Sequence, residues 1–118
     1  MATLGDLERS IMDLLWDASE PLSAADLRDT LTEHERGKPL ALTTVLTVLS
    51  RLEAKQFVTR DREVRPHLYE ASTTRAEHMA ELMHEVLGSA PDREAVLARF
   101  VGQVSPGEAE QLRRLLGA

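Results

Sequence analysis

Leu42-Thr43-Thr44-Val45-Leu46-Thr47-Val48-Leu49-Ser50-Arg51-Leu52-Glu53-Ala54-Lys55 decides how this chain is read. Wound as a helix at 100° per residue, the stretch has two incompatible faces. Leu42, Val45, Val48, Leu49 and Leu52 gather on one side, which specifies burial. Thr43, Thr44, Thr47, Ser50 and Arg51 gather on the other. A solvated helix face would carry Glu and Lys. This one carries hydroxyls, threonine methyls and a single guanidinium, which suits a helix pressed against base edges.

Two strand-like runs follow at once, Phe57 to Arg62 and His67 to Ala71, with Val64-Arg65-Pro66 near the turn between them. Two helices precede it. The first runs from Asp6 to Ala18, with Leu7, Ile11, Leu14 and Leu15 on its inner side and Leu4, Met12 and Trp16 widening that side. Glu20-Pro21 closes it, because proline disfavours helix in the residue before it. The second begins at Ser23, a good N-cap, with Asp26 standing three residues on where a capping box has Glu. Ala24, Leu27 and Leu31 form its inner face, and His34 to Leu40, holding Gly37 and Pro39, reads as a connection. Helix, helix, two-faced helix and basic hairpin together predict a mainly α fold, a winged helix-turn-helix with a small β-hairpin wing.

Past Ser72 the pattern changes to three short helices. Thr74-x-x-Glu77 is a capping box for one carrying Met79, Leu82, Met83, Val86 and Leu87 on a single stripe, with Gly88 as its stop. The next opens at Ser89/Pro91 and aligns Val96, Leu97, Phe100, Val101 and Val104. The last opens on Ser105-Pro106-Gly107-Glu108, an N-cap, a proline at the first helical position and a capping glutamate, and carries Leu112, Leu115 and Leu116. About 46 residues give only a marginal core when isolated. Met79, Leu82, Met83 and Val86, then Val96, Leu97, Phe100 and Val101, then Leu112, Leu115 and Leu116 need another surface, and a second copy of the chain is the simplest supply. The predicted division is a DNA-binding domain over 1–72 and a helical dimerisation region over 73–118.

Charge distribution supports the same reading. The 118-residue chain carries a net charge of -6. Between Arg36 and Arg65, however, seven positive residues face three negative ones, leaving +4 there and -10 elsewhere. A basic strip on an acidic body fits a protein that touches DNA along one edge. The candidate DNA contacts are Thr43, Thr44, Thr47, Ser50 and Arg51 on the helix and Arg62 and Arg65 in the wing. Lys38 and Lys55, near the two ends of the helix, are candidate phosphate anchors. Arg60 is the weaker wing candidate, balanced with its neighbours by Asp61 and Glu63.

Other classes are disfavoured. The chain has no cysteine, which removes disulfides and thiolate metal sites. It has no long apolar run and no basic-then-apolar leader, so a cytoplasmic location without membrane insertion is expected. His78 and His84 are six residues apart and diverge by about 120° on a helix, and His84-Glu85 lacks the second histidine of a zinc-protease motif. No phosphate-binding glycine loop or nucleophile-base set stands out. No enzyme activity, metal or cofactor is expected.

Leu4-Gly5-Asp6-Leu7-Glu8-Arg9-Ser10-Ile11-Met12-Asp13-Leu14-Leu15-Trp16 resembles the opening signature of the penicillinase and methicillin-resistance repressors, the BlaI/MecI family. Leu42 to Leu52 is similar to that family's recognition helix, and Tyr69 near the end of the wing also matches. The resemblance spans nearly the whole chain and is strongest up to Ser72. It implies a homodimeric transcriptional repressor on palindromic operator DNA, controlling β-lactam-response genes. In the family, repression is relieved by cleavage in the dimerisation region, in a response begun by a membrane-bound sensor protease. The family's cut precedes the phenylalanine of an Asn-Phe pair; the nearest counterpart here is Arg99-Phe100, with arginine in place of asparagine. Two other readings share the sequence pattern: a ligand-sensing winged-helix regulator of the MarR or PadR kind, and a winged helix used for protein interaction without DNA.

Overall fold

In the computed structural model, which describes residues 4–34 and 40–117, several helix starts fall where their caps are written. α1 (Asp6–Asp17) starts with Glu8 reaching back to accept the Gly5 N–H at 2.9 Å. α2 (Ala24–His34) starts with the reciprocal pair expected of Ser23 and Asp26: the Asp26 N–H donates to Ser23 Oγ at 3.1 Å, and the Ser23 N–H to Asp26 Oδ2 at 3.2 Å. α3 (Leu42–Ala54) is the two-faced helix. Its C-terminus closes as a Schellman motif: Gln56 N–H donates to Glu53 O at 3.0 Å, and Phe57 N–H to Leu52 O at 2.9 Å. Such a motif needs a left-handed residue just past the helix, and Gln56 supplies it with φ 68°.

Two strands lie between α3 and the next helix, β2 (Val58–Asp61) and β3 (Leu68–Ala71), paired antiparallel with Arg60 opposite Tyr69. A third, β1 (Leu22–Ser23), pairs antiparallel with β3, so the sheet order is β1-β3-β2. The sequence predicts only the hairpin, because two residues are too short to show a period of two. Ser23 therefore ends a strand and caps a helix at once. Helices α1 to α3 over this small sheet are a winged helix-turn-helix within a mainly α chain.

The core is aliphatic, as the composition requires. Ile11, Met12 and Leu15 from α1, Leu27 and Leu31 from α2, and Val45, Val48, Leu49 and Leu52 from α3 pack with Phe57, Val58 and Tyr69. Removing one fully buried leucine from such a core costs about 2–5 kcal/mol. Leu42, expected on the inner face, is instead exposed at the first turn of α3.

α4 (Arg75–Ser89) opens with the predicted box: Glu77 N–H donates to Thr74 Oγ1 at 3.1 Å. It continues through Gly88, where a stop was expected, because Gly88 keeps a negative φ. α5 (Arg93–Gln103) correspondingly starts later than Ser89/Pro91. Asp92 is its cap, accepting the Ala95 N–H at 3.1 Å. α6 (Pro106–Leu116) has the full box at Ser105 and Glu108 and ends at Gly117 in the left-handed region, φ 78°. The chain divides into two compact units, Met1–Ala80 and Glu81–Ala118, so the division falls inside α4. Among the described residues, α5 and α6 bury no side chain, and Phe100, Val101, Leu115 and Leu116 are exposed.

Candidate nucleic-acid interface

The hydroxyl-rich side of α3 faces outward. Thr43, Thr44, Thr47, Ser50 and Arg51 are all exposed, while Val45, Val48, Leu49 and Leu52 on the opposite side are buried. Apolar burial fixes the helix by one stripe and thereby aims the other at solvent. One hydroxyl is partly committed: Thr47 Oγ1 donates to Thr43 O at 2.9 Å, so its proton stays within the helix. Leu46 shares this exposed face, which the sequence reading left unassigned.

Two flanks border the face. On the α1 side lies a shallow cleft lined by Gly5 to Glu8 and by Thr44, Thr47, Val48 and Arg51. There Lys55 Nζ donates to Glu8 Oε2 at 2.8 Å and to Oε1 at 3.1 Å. Burial would raise the Glu8 carboxyl, but the Lys55 and Gly5 hydrogen bonds, with the charges of Lys55 and Arg51, outweigh it and hold it below the ordinary carboxylate range. Lys55 is thus tied to α1 at the edge of the face. Lys38, the other candidate anchor, lies outside the described residues.

On the wing side, Glu53 gathers two arginines. Arg60 binds its carboxylate and stacks over the Tyr69 ring at 5.5 Å. Arg62 Nη1 lies 3.2 Å from Glu53 Oε2 but remains largely exposed. The Arg60 hydrogen bond, outweighing burial, lowers the Glu53 carboxyl, helped by the charges of Arg60 and Arg62. At the wing tip, Arg65 Nη1 donates to His67 Nε2 at 2.8 Å, and Glu63 N–H donates to Asp61 Oδ1 at 3.0 Å. Partial burial, then the charges of Arg65, Arg60 and Arg62, push His67 down against the pull of Asp61. The structure therefore leaves Arg51, Arg62 and Arg65 exposed, with Arg62 joined to α3 through Glu53 and Arg65 at the wing tip. It makes Arg60 a strut between helix and wing. Only pairing across distant segments reveals the roles of Glu8 and Glu53, and a single sequence carries no signal for either.

The start of α4 is fastened to α1. Trp16 Nε1 donates to Thr73 O at 2.9 Å, Arg75 pairs with Asp17 at 3.0 Å and with Asp13 at 3.4 Å, and its guanidinium lies over the Trp16 ring at 5.3 Å. His78 is buried against the rings of Trp16 and Phe57, each 5.3 Å away, and neither ring nitrogen has a hydrogen-bond partner among the described residues. Farther along, Met79, Met83 and Val86 on α4 and Val96, Leu97, Phe100 and Val101 on α5 are exposed, as are Leu115 and Leu116 on α6. Leu82 and Leu112 are half-buried. Arg99-Phe100 lies inside α5, both residues exposed. No helix among the described residues is long and apolar enough to cross a membrane.

Comparison with known proteins joins these features to a family. The sequence profile described as penicillinase repressor matches residues 4–118. A protein named transcriptional regulator BlaI, from two strains of Mycobacterium tuberculosis, is 41% identical over 119 residues, covering 98% of this chain and 84% of the relative. A crystal structure of a MepR variant from a multidrug-resistant S. aureus clinical isolate aligns over 93% of this chain and 72% of its own, with a TM-score of 0.41 and 20% identity. With a family profile spanning the winged helix and all three helices after it, the chain belongs to the penicillinase repressor family of transcriptional regulators.

Proposed function

We propose that the chain is a homodimeric, cytoplasmic repressor of palindromic operator DNA. α3 enters the major groove through Thr43, Thr44, Thr47, Ser50 and Arg51, and Arg62 and Arg65 of the wing engage the flanking backbone. The observation that carries this reading is the outward hydroxyl face of α3, held there by four buried aliphatic residues on its other side. Guanidiniums on the exposed helix face and the wing provide the phosphate contacts that fix register, and the helix face provides base contacts. The exposed apolar stripes of α4, α5 and α6 are the dimer seam, and a two-fold dimer matches half-sites one or two helical turns apart.

The regulated genes are of the β-lactam-response type, and a membrane-bound sensor protease system ends repression by cleavage in the dimerisation region. Arg99-Phe100 is the candidate cut, exposed on α5, which must open locally to present an extended backbone. Selection of duplexes from a random pool, followed by anisotropy titration at several salt concentrations, tests the DNA reading. An inverted repeat bound with a steep salt slope is expected. Failure to enrich any duplex, or binding without salt dependence, overturns it.

A further inference from the structure

The exposed face of α3 is apolar along its wing-side margin. Leu42 and Leu46 are 37% and 38% exposed, on the face that also holds Thr43, Thr47 and Ser50. At 100° per residue Leu42, Leu46 and Ser50 form one ridge along the helix, and Thr43, Thr47 and Arg51 form the next. Glu53, which binds the wing arginines, continues the side of the Leu42–Leu46 ridge. Leu46 therefore stands on the wing-side margin of the exposed face, between the threonine ridge and the Glu53 that holds the wing arginines. Thr47 beside it has its hydroxyl proton committed to Thr43 O, so it has no proton to give to a base.

We propose that Leu46 is a specificity-determining residue that packs on a thymine C5-methyl in each half-site of the operator. This rests on the DNA-binding reading above. The thymine methyl is the apolar group that an unmodified base pair presents in the major groove. Any other base edge opposite Leu46 would lose water from a donor or acceptor and gain no partner, which penalises the wrong base as well as favouring the right one. A leucine solvated in the free protein is thereby useful: its burial contributes only when the methyl is present. Leu46 lies outside the core, so its role is separable from folding.

The experiment starts from operator duplexes selected by the wild-type protein. Each thymine is replaced singly by deoxyuridine, which deletes only the methyl, and binding is measured for wild type and for Leu46→Ala. At one thymine per half-site, deoxyuridine weakens wild-type binding about four-fold, the worth of one buried methyl, and the symmetric double replacement weakens it about sixteen-fold. Leu46→Ala keeps the wild-type melting temperature and salt slope but responds less than two-fold, roughly one residual contact's worth, at that same thymine. Wild-type binding indifferent to deoxyuridine at every position overturns the proposal, as does an unchanged methyl effect in Leu46→Ala. Failure of the wild-type protein to select any duplex is a different result: it overturns the DNA-binding reading itself, and this inference falls with it.

Discussion

Glu53, on the last turn of α3, and Arg60, on the first strand of the wing, form a half-buried ion pair across the joint between recognition helix and wing. Arg60 also lies over the buried ring of Tyr69 in the neighbouring strand. Helix, strand and strand are thereby held by one guanidinium, with Arg62 as a second, solvated arm on the same carboxylate. A wing that must reach DNA in register with a helix benefits from such a rigid joint.

The joint has a pH signature. Arg60 lowers the Glu53 carboxyl below its ordinary 4.5. A depressed folded-state value contributes stability that is complete above the unfolded value and is lost as pH falls through the folded one. Urea unfolding at pH 7 and below pH 4 is expected to show Glu53→Gln less stable than wild type by about 0.5–1 kcal/mol at neutral pH, the range for a partly exposed pair. The gap should close in acid. A gap that stays constant or widens in acid would remove the ion pair as its cause.

Gln56 occupies a left-handed position, φ 68°, which costs an L-residue with a Cβ about 1–2 kcal/mol and costs glycine almost nothing. The hydrogen bonds that demand it come from the backbone and survive substitution. Gln56→Gly is expected to stabilise the protein by about 0.5–1 kcal/mol once glycine's extra unfolded-state entropy is subtracted. A lower urea midpoint for Gln56→Gly would contradict the strain assigned here.

What the sequence made legible follows the range of the forces involved. The two faces of α3, the Ser23–Asp26, Thr74–Glu77 and Ser105–Glu108 caps, and the hairpin are written within a few consecutive residues, and local spacing suffices to see them. The two-residue β1 exists only because β3 lies beside it. Asp92 displaced Ser89 as the cap of α5 because two polar residues three apart compete and only backbone geometry selects between them. Leu42 reads as buried from its angle alone, but among the described residues the first turn stays exposed, with Leu42 at 37%. Lys55 reads as a free cation until Glu8, 47 residues away, is brought to it. Leu46 sits at the border between faces, where periodicity assigns nothing.

His78 is buried with both ring nitrogens unpartnered among the described residues, and an unsatisfied buried polar group costs about 1–3 kcal/mol. Replacing it by an apolar side chain of similar size removes that cost while keeping contact with Trp16 and Phe57. His78→Leu is therefore expected to raise stability by about 1 kcal/mol, whereas His78→Ala should lower it by leaving a cavity. Equal destabilisation by both substitutions, read from urea midpoints, would show that the imidazole has a polar role the aromatic contacts do not supply.

Arg51 and Arg62 differ in what they must give up to meet DNA. Arg51 is exposed on the recognition helix, whereas Arg62 must loosen its contact with Glu53. Each neutralised phosphate contributes about 0.9 to the slope of log affinity against log salt. Arg51→Ala and Arg62→Ala should both weaken operator binding and flatten that slope by about one contact. The loss should be larger for Arg51, which forms no ion pair among the described residues and acts on Glu8 only through its charge. Anisotropy titrations giving wild-type affinity and slope for both variants would take these arginines out of the interface.

The last prediction concerns the seam. Phe100 is 44% exposed on α5, a helix that buries none of its own side chains, and Leu82 is half-buried on α4. A carboxylate placed there would have to lose its water when a second copy docks, which costs several kcal/mol. Phe100→Asp and Leu82→Asp should both give monomers by light scattering. Phe100→Asp should do so with its helix content intact, because little of that side chain supports the fold of a single copy. Operator affinity should then collapse even though no residue of α3 or the wing has changed, because the second half-site loses the effective concentration that tethering provides. Two variants that remain dimeric would move the seam elsewhere. A monomeric variant that keeps wild-type affinity for the inverted repeat would show that one copy reads the operator alone.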